Sequence, residues 1–104
     1  VLFIAVDDLK NAIGAYGDPQ AKTPNIDKLA SQGFVFLNNH CQQALCGPSR
    51  ASMLTGRYPH ELGIWGFDKI RDKNPDVVTL PQCFKQQGYT TININKIFDG
   101  RTVD

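Results

Sequence analysis

The sequence predicts an α/β fold in which a mostly parallel sheet is flanked by helices. Three observations carry this. The chain opens on VLFIAV, a continuous apolar run from Val1 to Val6 that suits a strand buried on both faces. Segments with helix starts and stops recur downstream of it. YTTININKIF then alternates, with Ile92 and Ile94 on one side and Thr91, Asn93 and Asn95 on the other. Strands alternating with helices are the signature of a sheet covered on its faces.

Each element follows in order. The Val1–Val6 run stops abruptly at Asp7-Asp8, and Gly14, Gly17 and Pro19 mark a polar turn region. TPNIDKLASQG predicts a helix with Thr23 as its N-cap, Pro24 at the first helical position and Gly33 as its stop. Ile26, Leu29 and Ala30 share one face of it. Phe34 to Leu37 predicts a second strand. Pro48 suits the first turn of another helix, Ala51 to Leu54 continue it, and Gly56 ends it. Arg57 to Pro75 is expected to be loop, with Trp65 and Phe67 as isolated aromatics. TLPQCFKQQG predicts a further helix, with Thr79 and Gln82 at capping-box spacing, Cys83 on its inward side and Gly88 as its stop. The closing strand is expected to end at Lys96.

Composition bounds the function. The 104 residues carry 41% apolar and 20% charged side chains, a globular balance. A formal charge of +1 gives no broad electrostatic reason to bind nucleic acid or a membrane surface. No apolar run approaches the roughly 20 residues of a membrane span. No signal peptide is evident. The chain starts without Met inside an apolar run and ends at GRTVD, which reads as a piece of a longer protein. Three cysteines cannot all pair internally, and His40, Cys41 and Cys46 make only a ragged part of a zinc site. Cys41 and Cys83 read as structural thiols.

In α/β sheets ligands bind at the carboxyl ends of strands. Asp7-Asp8 and Lys96 fall at such ends, and Cys46 lies where a loop enters a helix, so these groups have reason to converge. Adjacent carboxylates at a strand mouth repel and call for a compensating charge. Either a hard cation such as Ca²⁺ or Mg²⁺ supplies it, or Asp8 caps a turn while Asp7 is solvated. Cys46 is either a small buried hydrophobe or a reactive thiol. Its place at a helix start beside Arg50 favours the second reading, because that environment suits anions. His60 reads as a solvated loop histidine, and Arg57 either braces the loop or reaches the site. Trp65 either packs or stacks on a sugar ring.

The stretch from Cys46 to Arg57, CGPSRASMLTGR, resembles the C-x-P-S-R-x4-T-G signature of the type I sulfatases. VDDL, TPNIDKLASQG, TGRYP, LPQCFKQQGY and NKIF are similar to further blocks of that family in the same order, closest in look to its iduronate-2-sulfatase branch and bacterial uronate 2-O-sulfatases. The resemblance implies that residues 1–104 are the incomplete N-terminal portion of an alkaline phosphatase-like sulfatase domain. It implies a periplasmic, secreted or lysosomal parent acting on a sulfated carbohydrate. It also implies that a maturation enzyme oxidises Cys46 to formylglycine. The hydrated aldehyde is a geminal diol, one oxygen of which binds metal and attacks the sulfate ester, and the second expels sulfate afterwards. Asp7 and Asp8, with the modified Cys46, are then metal ligands for Ca²⁺ or Mg²⁺. Pro48 and Arg50 belong to the maturation signal, Arg50 also holds the formylglycine, and Lys96 contacts sulfate.

Two positions depart from the pattern. Asp99 stands where the branch has the His that takes a proton in the elimination step, and Asn95 replaces the usual Gly. The family's remaining metal and sulfate ligands lie outside these residues, so the fragment alone is expected to be inactive and to bind calcium weakly or not at all. Two other readings compete. One is a phosphoester or phosphonate hydrolase of the same superfamily, against which the uninterrupted signature argues. The other is a non-catalytic remnant of the fold.

Overall fold

The structure, a computed structural model, describes residues 1–99 and divides into two units, Val1–His40 and a second from Cys41 onward.

In the first unit a 3-10 turn at Gly14–Tyr16 precedes helix α1, Pro24–Ser31. Thr23 and Pro24 open α1 as the sequence predicts, but the Thr23 hydroxyl does not cap its own helix. It accepts the Gly14 N–H at 2.9 Å and donates to the Asp27 carboxylate at 3.0 Å, tying the turn to the helix. A Cβ at Gly14 would lie 2.5 Å from Asp27 Oδ2, so a larger residue there would displace the Asp27 carboxylate. Ile13 is the buried apolar residue of this unit.

The second unit holds α2 (Cys46–Thr55), two single-turn helices, α3 (Pro59–Leu62) and α4 (Ile70–Lys73), and α5 (Leu80–Gln86). The region expected to be loop therefore carries α3 and α4. Each is one turn long, too short to leave a 3.6-residue periodicity. In α5 the Gln82 side chain accepts the Thr79 N–H at 3.0 Å, the predicted capping box. Ala51, Leu62, Ile64, Ile70 and Val77 form the core, and Phe98 packs against it.

Two expectations are corrected. Among the described residues there is no strand. Val1–Val6, Phe34–Leu37 and the 89–94 stretch make no ladder hydrogen bonds, and their apolar side chains are exposed, Leu2 at 84%, Phe34 at 94% and Ile92 at 82%. A strand buried on both faces needs neighbours at its edges and helices over its faces, which are non-local contributions that these stretches lack here. Cys83 is exposed rather than inward, because α5 turns Gln82 and Phe84 toward partial burial instead.

Candidate active site

The site is built on the first turn of α2. Leu45 is extended (φ −151°, ψ 134°), and the Ser49 N–H reaches its carbonyl at 3.0 Å, closing the turn that begins at Cys46. Pro48 fits there because the first-turn N–H groups have no intrahelical acceptor. The helix stops at Gly56, whose φ of 69° is a left-handed position open to glycine. Its N–H closes on the Ser52 carbonyl at 2.8 Å.

Cys46 and Arg50 are four residues apart and so share one side of α2. Both face the segment 95–99. The Cys46 Sγ donates to Asp99 Oδ2 at 3.2 Å, and Asp99 is 1% exposed. Arg50, 9% exposed, donates through Nη1 to the Lys96 carbonyl and to the Ile97 carbonyl, the latter at 3.1 Å. The segment has its own reason to be shaped this way. Asn95 has φ 63°, a left-handed conformation that Asn tolerates better than most residues. The Ile97 N–H folds back to the Asn95 carbonyl at 3.1 Å. Phe98 is anchored in the core, which fixes the residue after it.

The structure therefore joins Cys46, Arg50, the backbone at Lys96, and Asp99 across some fifty residues of sequence. The Lys96 side chain is exposed. Asp7 and Asp8 lie in the first unit, both exposed, with Asp8 at φ 53°. Their carboxylate oxygens suit a hard cation, but two residues fall short of the six to eight oxygens Ca²⁺ takes. Among the described residues no group of three or more His, Cys, Asp and Glu is arranged to hold a metal. His60 is exposed and stacks on Tyr58, ring centroids 5.5 Å apart, and Arg57 is exposed.

Position 47 adds a contact that no motif spacing reveals. A Cβ on Gly47 would lie 2.5 Å from the Gly66 carbonyl oxygen and 3.1 Å from Phe67 Cδ1. The residue after Cys46 must be glycine for the 64–67 loop to lie against the helix start. The only sequence signal was the glycine itself.

The sulfatase family profile matches residues 1–100. The chain is 46% identical over 99 residues to human (Homo sapiens) iduronate 2-sulfatase, a match covering 94% of the chain and 18% of that protein. It is 42% identical over 112 residues to a sulfatase of Formosa agariphila, covering 100% of the chain and 22% of that protein. With an N-acetylglucosamine-6-O-sulfatase of Bacteroides thetaiotaomicron it shares 39% identity over 97 residues, covering 92% of the chain and 17% of that protein. The chain thus spans only about a fifth of the length of these relatives. A signature around Cys46, a profile match over nearly every residue, and a fold that gathers the signature's side chains with Asp99 lead to one statement: the chain belongs to the sulfatase family, of whose domain it forms an N-terminal part.

Proposed function

We propose that the protein of which this chain is part hydrolyses a sulfate ester of a carbohydrate, with a 2-O-sulfated uronic acid of a glycosaminoglycan as substrate, in a periplasmic, secreted or lysosomal setting. The observation that supports this most is the Cys46–Asp99 hydrogen bond, 3.2 Å long, beside the clamp that Arg50 makes on the Lys96–Ile97 backbone. A formylglycine at position 46, made by a maturation enzyme, would supply the nucleophilic hydroxyl as its hydrate, and Asp7 and Asp8 would contribute carboxylate oxygens to a hard cation such as Ca²⁺, which would supply charge neutralisation.

The chain's own residues do the rest. Asp99 stands where a hydroxyl replacing the thiol donates its proton, which is the geometry a general base needs. An ordinary carboxylate, pKa about 3.9, is a weaker base than an imidazole at about 6.5. Lys96 offers an exposed cation to an anionic substrate. Arg50 holds the loop that carries both. In the complete domain the three extended apolar stretches are strands of the sheet that the sequence predicts.

The test uses full-length protein from its native host. Mass spectrometry should find the Cys46 peptide about 18 Da lighter, the change from cysteine to aldehyde. The protein should turn over a 2-O-sulfated uronic acid disaccharide and leave the matching phosphate ester untouched. Asp99→Ala should lower kcat about 10²- to 10⁴-fold, the usual worth of a positioned acid or base. Full activity with an unconverted Cys46, or preference for the phosphate ester, defeats the proposal.

A further inference from the structure

The 64–67 loop lies against the start of α2 and carries two aromatic side chains. Ile64, fully buried, roots the loop in the core. Gly66 then lies against Gly47, with Phe67 beside it. Between these two fixed points Trp65, the single tryptophan of the chain, is 57% exposed, and Phe67 is 39% exposed. Trp65 and Cys46 are each one peptide, about 3.8 Å between Cα atoms, from the Gly66–Gly47 contact.

An indole held on a rigid loop offers a flat apolar face at little conformational cost, with one polar edge. The apolar C–H face of a pyranose ring is complementary to such a surface, and its hydroxyl and sulfate substituents project from the rim. We propose that Trp65, flanked by Phe67, is the platform on which the ring of a sulfated sugar stacks while its sulfate reaches position 46. The assignment rests on the reading of this site as a carbohydrate sulfatase and adds to it the residues that recognise the sugar rather than the sulfate. Gly47 is the positioning element, since any side chain there displaces the loop.

The experiment compares full-length wild type, Trp65→Ala and Trp65→Phe with two probes, a 2-O-sulfated uronic acid disaccharide and inorganic sulfate. In Trp65→Ala the KM for the disaccharide should rise about 10-fold, as expected for truncating an aromatic anchor. Trp65→Phe should stay close to wild type. The inhibition constant of inorganic sulfate, which has no ring, should not change in either. Calorimetric titration of the disaccharide into protein still carrying the Cys46 thiol should show the same ranking without turnover. An unchanged KM in Trp65→Ala overturns the platform. So does a sulfate inhibition constant that rises in step with KM, or no binding of the disaccharide to the wild-type thiol form. If wild type hydrolyses no sulfate ester, the functional reading fails, and the titration alone decides about Trp65.

Discussion

A guanidinium only 9% exposed, with Nη1 donating to two main-chain carbonyls, has a different task from one held open for an anion. Arg50 joins the first turn of α2 to the 95–99 segment, and removing it leaves two partly buried carbonyls without that donor. Hydrogen bonds from charged groups contribute about 1.5–3 kcal/mol each, and an orphaned buried acceptor costs a similar amount. Arg50→Ala in the full-length protein should therefore lower stability by about 2–3 kcal/mol in denaturant titration. Arg50→Lys should recover only part of this, since an ammonium lacks the planar fork. Amide exchange at Ile97 and Asp99 should quicken in both variants. Equal stability of Arg50→Ala and wild type sinks the clamp. Signature spacing singles out Cys46, Arg50, Lys96 and Asp99; the structure brings the side chains of Cys46 and Asp99 together and sets Arg50 on the Lys96 carbonyl, with the Lys96 side chain exposed. The clamp itself was not legible. It uses carbonyl oxygens, which every residue carries and no sequence displays.

Helices and loops divide along the same line. The boundaries of α1, α2 and α5 are readable because their signals are local: Thr23-Pro24, Pro48 with Gly56, and Thr79 with Gln82 act within a few residues, although the Thr23 hydroxyl bonds the Gly14 turn and Asp27 in place of a cap. The single-turn α3 and α4 and the orientation of Cys83 depend on what packs against them, so they were missed. The contact at Gly47 is of this non-local kind, and it makes a sharp comparison. A Cβ at Gly47 meets the Gly66 carbonyl oxygen at 2.5 Å, a backbone atom that cannot swing aside, whereas a Cβ at Gly66 meets nothing within 4 Å. Gly47→Ala should cost about 1–3 kcal/mol through overpacking. Gly66→Ala, by contrast, should change stability by less than about 0.5 kcal/mol. Thermal melts give the ranking, and Trp65 fluorescence should shift in the first variant, because its loop must move. Equal melting of the two variants contradicts the close approach.

At the scale of the whole chain, size is not what is lacking, since domains much shorter than 104 residues fold alone. What matters is where the apolar surface lies. The core gathers Ala51, Leu62, Ile64, Ile70, Val77 and Phe98, whereas Val1, Leu2, Ile4, Phe34, Phe36, Ile92 and Ile94 are exposed. Each large apolar side chain brought out of water contributes about 1.5–3 kcal/mol, so the exposed set holds as much potential stabilisation as the core does. Exposed apolar side chains in this number belong under another element or draw chains together. The sheet predicted from these stretches could be read as a pattern, but its ladder cannot form without partner strands, and pairing is not a local property. The 104-residue chain expressed by itself should consequently bind the dye ANS strongly and melt over a broad range rather than in one cooperative step. It should also show no turnover of the sulfated disaccharide, because it spans only about a fifth of the length of its relatives. A sharp two-state transition with no dye binding contradicts this account, since it requires the exposed stretches to be covered by the chain itself.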